Sequence, residues 1–239
     1  MKGKVRKYMR KIGFVGVWDK TNLMLNIAKL LQSLGYKILI IDSTSVQKAR
    51  YVVPSIMPTV SYITDFHGID VAVGFKSLKD IAEYSGIEEK KLDYDVALID
   101  FDNEEGMNNF NIYEMQINYY VTSFDLYTLK RSLEIFDNFK NPIVLNKVLF
   151  SGEMSNEENE YLNYLSLGKK IIWEKQIIYF PVNTNDYLEI SDNERKGMIK
   201  FKNLSSLYRE SVEFMADQIL EHTKTRELKL SMKQLILKN

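Results

Sequence analysis

Apolar positions along the chain fall into two regimes: short continuous runs that end at a polar residue, and longer stretches with apolar residues every three or four places. Residues 12–17 (IGFVGV) form a run of the first kind, followed by the polar turn WDKTN. From Thr21 onward Leu23, Ile27, Leu30, Leu31 and Leu34 fall at helical spacing, and Gly35 follows as a stop. Residues 37–41 (KILII) predict a buried strand ending at Asp42. Strand, loop, helix and strand within about thirty residues is the size of a βαβ unit. Four more strands are predicted at 95–99 (DVALI, ending in Asp100), 117–122 (INYYVT), 142–148 (PIVLNKV) and 176–181 (QIIYFP, stopped by Pro181). A helix is predicted at 125–139, and 203–221 places Leu204, Leu207, Tyr208, Val212, Met215 and Ile219 on one helical face.

Strands that are apolar throughout and alternate with helices imply a parallel sheet covered on both faces. The expected fold is a doubly wound α/β domain over residues 1–222, its sheet mostly parallel. It includes a basic arm at 1–11, and a basic amphipathic tail at 223–239 follows it. Ligands of such folds bind at the carboxyl ends of the strands. That rule gathers residues 16–22, 42–46, 100–103, 146–150 and 181–186 on one rim.

Composition narrows the chemistry. With 45% apolar residues the 239-residue chain can build a core, and 32 basic against 32 acidic side chains leave no net charge to act as a general nucleic-acid magnet. Zero cysteines exclude disulfides, thiolate zinc and a cysteine nucleophile, and the histidines, His67 and His222, are too few for a histidine-rich metal site. No apolar run reaches the roughly 18 residues that span a bilayer, and no apolar segment follows the basic N-terminus as in a secretory signal. The expected location is therefore cytoplasmic.

Five blocks then stand in a telling order: GVWDKTN opening a helix, KILIID, DVALID, VLNKV and YFPVNTNDYLEISDNERKG. Together, over residues 10–220, they resemble the ParA/MinD group of P-loop ATPases. The resemblance implies ATP or ADP with magnesium as cofactor. It puts Gly16, Lys20 and Thr21 in the phosphate loop and Asp42 after the second strand. Asp100 falls at the carboxylate that orients magnesium through water, with Thr21 as the other metal-side residue. Asn146 falls at a residue contacting adenine, and Pro181 at the strand end leading to the adenine loop, with Gly197 closing the helix beyond. A homodimer is the family's default partner.

The departures are local. Where the family loop has its signature lysine, this chain has Val15; where it has its middle and last glycines, Val17 and Asp19 stand; and Phe14 replaces the first glycine of general P-loops. A phosphate cradle needs residues tolerant of positive φ and close approach. The Asp19 carboxylate would face polyphosphate, and two unit charges about 4 Å apart repel by roughly 1–4 kcal/mol. Family members carry Asp-x-Asp after the second strand, the second Asp positioning water; here the triplet is Asp42-Ser43-Thr44, and threonine cannot serve as a carboxylate base. No catalytic residue is assigned.

Each candidate also has a plain structural reading. Lys20 and Thr21 can be ordinary first-turn residues, Asp42 and Asp100 loop caps, and Asn146 a turn former. The arm residues Lys2, Lys4, Arg6, Lys7, Arg10 and Lys11 suit DNA or anionic lipid, or simply solvent. In the tail, Leu228, Met232, Leu235 and Ile236 form one stripe with Lys229, Lys233 and Lys238 off it. That pattern fits a helix lying peripherally on the inner membrane face, or packing on its own domain or on a partner. The acidic cluster Glu153, Glu157, Glu158 and Glu160 suits a loop entering a helix.

Three functions compete. The first is a divergent positioning or assembly factor (pilus or secretion, partition or division type) acting by dimerisation and partner binding, with weak or absent hydrolysis. The second is an active partition or division ATPase that binds DNA or membrane. The third is a nucleotide-free scaffold, which a pocket filled by Trp18 or Phe14 would favour.

Overall fold

The computed structural model describes residues 8–55, 59–152 and 156–237. Its strands are β1 (Arg10–Val15), β2 (Ile38–Asp42), β3 (Tyr62–Asp65), β4 (Asp70–Val73), β5 (Val96–Phe101), β6 (Ile117–Ser123), β7 (Ile143–Ser151) and β8 (Ile171–Pro181). Its α-helices are α1 (Thr21–Ser33), α2 (Ala49–Val52), α3 (Leu78–Tyr84), α4 (Glu104–Asn109), α5 (Leu126–Asp137), α6 (Asn156–Leu165), α7 (Thr184–Lys196), α8 (Ser206–Ile219) and α9 (Thr225–Leu237). Among the described residues the strands form one sheet in the order β3-β4-β2-β5-β1-β6-β7-β8, antiparallel only between β3 and β4. This is the doubly wound, mostly parallel α/β architecture the sequence predicts.

The physical reason is visible in the central strands. Every residue of β2 and β5 is buried, which requires cover on both faces. One face packs Ile12, Phe14, Ile40 and Leu98 against Leu23, Ile27 and Leu31 of α1 and Val212 and Met215 of α8. The other packs Val15, Ile41, Ile99 and Tyr120 against Ile81, Met107, Leu129, Phe136 and Leu162 from the helices opposite.

A hairpin and an early strand start are among the departures from the sequence-based expectation, as are the unpredicted helices α2, α3 and α4 and the extension of β7 to Ser151. The β3–β4 hairpin has no counterpart in the predicted elements. Its strands are four residues each, joined by a tight turn whose central His67 and Gly68 both have positive φ, the backbone of a primed hairpin turn. Strand β8 starts at Ile171, ahead of the predicted 176–181. Its first half carries exposed Glu174 and Lys175, and the register with β7 shifts between Leu145 and Lys147.

The C-terminal stripe packs on the chain's own domain. Leu228 and Met232 are buried against the cluster of α1 and α8, Leu235 and Ile236 lie partly buried beside them, and Ser231 hydrogen-bonds Ser33. The apolar stripe of α9 is thus largely turned onto the core. No helix among the described residues is long and apolar enough to cross a membrane. Of the basic arm, Lys2, Lys4, Arg6 and Lys7 lie outside the described residues. Arg10 pairs with Glu221 (3.1 Å) and Lys11 with Glu114 (2.8 Å). Glu153 and Lys238 also lie outside the described residues. Glu157 and Glu158 stand in the first turn of α6, where the helix dipole favours them.

Candidate functional site

Strand β1 lies at the switch point of the sheet, with β5 on one side and β6 on the other. The loop after it begins at Gly16, whose N–H donates to Phe101 O (3.0 Å). Its φ is +130°, and a Cβ there would lie 2.3 Å from Val121 O, so backbone and space both demand glycine. The loop runs to Lys20, and α1 starts at Thr21 with Met24 N–H donating to Lys20 O (2.9 Å).

Lys20 is buried, and its ammonium turns back into the loop. Nζ donates to Gly16 O and to Trp18 O (3.0 Å) and stands 2.9 Å from Asp100 Oδ1. The contact with Asp100 is an ion pair by distance but lacks hydrogen-bond alignment, and Oδ1 has no hydrogen-bond donor. Burial pushes the Asp100 carboxyl above the usual carboxylate range; Lys20 pulls the other way, and Asp42 and Asp19 add to the rise.

Asp42, next to Asp100 across the β2–β5 pairing, is committed to local structure. Its Oδ1 accepts from Thr44 N–H (3.1 Å) and Thr44 Oγ1 (2.6 Å), and its Oδ2 from Ala49 N–H (2.9 Å). These bonds shape the loop into α2, so Thr44 serves the backbone turn.

Asp19 bridges two elements. Its Oδ1 accepts from Thr21 N–H (3.1 Å), and its Oδ2 lies 2.5 Å from Lys48 Nζ. Lys48 continues to Glu194 Oε1 (2.7 Å), which also accepts from Asn22 Nδ2 (2.6 Å). Burial would lower the Lys48 ammonium, but the Asp19 and Glu194 carboxylates reverse this and hold it above the usual lysine value. Glu194 sits in the last turn of α7, which Gly197 ends with φ 60° and ψ 45°.

Beside this ion-pair chain opens a cavity of about 350 Å³, walled by Trp18, Phe150, Pro181, Tyr187 and Ile190, with Lys48 and Glu194 at one side. Trp18 stacks at a tilt on Phe150 (5.5 Å between centroids) and forms a wall without filling the space. Phe14 is in the core against Tyr119 and does not reach the cavity.

The structure thus gathers Gly16, Lys20, Thr21, Asp42, Asp100 and Pro181 on one rim. Asn146 is not among them. It lies mid-strand in β7, opposite Tyr119, its Nδ2 donating to Asn118 O (3.4 Å), and it lines a separate cavity of about 710 Å³ with Gln176 and Gln218. β7 runs on to Ser151, so the residue it delivers to the rim is Phe150. Lys48, Asn22 and Glu194 complete the rim without having been read from the sequence. Asn22 and Glu194 lay inside the quoted blocks GVWDKTN and SDNERKG without being singled out, whereas Lys48 carried no signal.

No family model matches the chain, and no curated protein does. Solved structures do. A ParA family ATPase from Chlorobium tepidum matches with a TM-score of 0.59 at 15% identity, covering 89% of this chain and 99% of its own. MinD from Aquifex aeolicus, a cell division protein, matches with a TM-score of 0.51 at 12% identity, covering 86% and 96%. An ATP complex of a McdA variant from Cyanothece matches with a TM-score of 0.50 at 14% identity, covering 90% and 97%. The fold is that of the ParA/MinD-like P-loop ATPases.

Proposed function

We propose that this chain is a ParA/MinD-type positioning or assembly factor that acts by dimerisation and partner binding, with weak or absent ATP hydrolysis. The observation that carries the reading is the state of the loop after β1. Its lysine is tied to Asp100 and two carbonyls of its own loop, and its Asp19 already lies on the first N–H of α1.

The two ends of the cavity suit a nucleotide unequally. The walls of Trp18, Phe150, Pro181 and Tyr187 present flat apolar surface of the kind that takes a heteroaromatic ring. A polyphosphate does not fit the loop as built, because it meets the Asp19 carboxylate and finds the Lys20 ammonium engaged elsewhere. Thr44, bonded to Asp42 through both its N–H and its hydroxyl, offers no carboxylate to position water. An active ATPase is therefore the weaker reading.

Proteins of this fold include a MinD solved in complex with MinC, also from Aquifex aeolicus. That a partner can dock on such a scaffold supports an assembly role here. Sedimentation of the purified chain with and without Mg·ATP, beside fluorescence imaging of a tagged copy in cells, tests the proposal. A dimer that forms irrespective of nucleotide and gathers at a defined cellular position is the expected result. A monomer spread evenly through the cell would overturn it.

A further inference from the structure

We propose that Asp19 is an internal anion seated where a polyphosphate would sit at the N-terminus of α1, and that it excludes polyphosphate from this loop by charge. The inference deepens the proposed function and rests on its premise that the loop no longer serves hydrolysis.

The first-turn N–H groups of a helix lack intrahelical acceptors and attract negative charge. In α1 that charge comes from the chain itself, since Thr21 N–H donates to Asp19 Oδ1 at 3.1 Å. The second carboxylate oxygen is held by Lys48, 2.5 Å away, which is anchored in turn by Glu194 at 2.7 Å. Asn22, one residue into the same helix, donates to that Glu194 oxygen at 2.6 Å, so the ion-pair chain closes back on α1.

Lys20 completes the pattern. The cation that the resemblance expects on phosphate points instead at Gly16 O, Trp18 O and Asp100. Both charges of the loop, Asp19 and Lys20, have protein partners, and an entering polyphosphate must displace these contacts together. Access is not the obstacle, because the Asp19 and Lys48 side chains are 43% and 36% exposed. Exclusion is electrostatic: an added anion meets a like charge already placed on the helix terminus.

The test uses inorganic triphosphate with magnesium, which carries the phosphate chain without a base, on the full-length protein and on Asp19→Gly and Asp19→Asn. Without added anion, Asp19→Gly melts below the wild type. With millimolar triphosphate, compared with sodium chloride at matched ionic strength, its melting temperature rises while that of the wild type stays flat. By calorimetry triphosphate binds Asp19→Gly at least about tenfold more tightly than wild type, as removal of a neighbouring like charge requires. Asp19→Asn keeps an acceptor for Thr21 N–H without the charge and falls between the two. It carries the same test if the glycine variant does not fold. Triphosphate binding to wild type as tight as to the variants would overturn the inference, and so would variants that fail to respond. Silent variants would leave the proposed weak or absent hydrolysis intact, whereas brisk ATP turnover by wild type would overturn that proposal instead.

Discussion

Lys20 Nζ and Asp100 Oδ1 lie 2.9 Å apart in the interior of the domain, joining the loop after β1 to the end of β5. Both side chains are almost wholly buried, so the pair is held in a medium where each charge depends on the other. Removing one partner strands the second. Lys20→Ala should therefore destabilise the protein by about 3 kcal/mol, a fall of roughly 6–12 °C in Tm for a domain of this size. Replacing both residues by apolar ones, as in Lys20→Met with Asp100→Leu, should recover most of the loss. Thermal melts of the two variants check this, and a Lys20→Ala protein as stable as wild type would show that the pair has no structural role.

Gly16 is the loop's geometric constraint. Its φ of +130° and the 2.3 Å approach that a Cβ would make to Val121 O combine strain with a backbone clash. Gly16→Ala should cost on the order of 3 kcal/mol or more. Gly35, which also has positive φ but meets nothing within 4 Å, should lose only about 1 kcal/mol as Gly35→Ala. Urea unfolding of the two variants compares them directly.

Among the described residues, Lys147 is a buried cation with no carboxylate partner. Its ammonium donates to Asn159 Oδ1 (2.6 Å) and Asn163 Oδ1 and lies 4.8 Å from the centroid of the Trp173 ring. Burial lowers it to about 8. Between that value and the usual 10.5 the unfolded chain holds a proton that the native one has released. This group therefore makes stability rise with pH across that window, and its cost is greatest below about pH 8. Lys147→Met should stabilise the protein by about 2 kcal/mol at pH 7, and the gain should shrink toward pH 10.5. Denaturant titrations at pH 7 and pH 10 read the difference.

The tail can be tested in the same way. Leu228 is fully buried under α1 and α8, whereas Leu230, two residues on, is 52% exposed. Leu228→Ala should cost about 2–5 kcal/mol and Leu230→Ala less than about 0.5. Equal effects would mean that α9 is not packed as the structure has it.

Much of this was legible in the sequence because the signals were strong and local. Unbroken apolar runs such as KILII and VALID specify buried parallel strands, and the spacing of Leu23, Ile27, Leu30 and Leu31 specifies α1. The order of the strand-end residues placed Gly16, Lys20, Asp42, Asp100 and Pro181 on one rim, since a parallel sheet brings carboxyl ends together. What was not legible depends on register and on distance. Asn146 fell away from the rim because β7 runs five residues beyond it, and a run such as VLNKV does not say where its strand ends. Lys48 and Glu194 meet Asp19 from elements 29 and 175 residues away, with no periodicity linking them. The β3–β4 hairpin was missed because strands of four residues carry too few positions to show alternation, and its His67-Gly68 turn is a weaker signal than Asn-Gly.

The chain keeps the ParA/MinD-like fold, and on the proposed function the phosphate end of its site serves the chain's own structure. Steady-state phosphate release from Mg·ATP, measured for wild type beside Lys20→Ala and a protein-free blank, tests it most directly. Wild-type release at or little above the two controls is the expected result. Turnover by wild type clearly above both controls would contradict it.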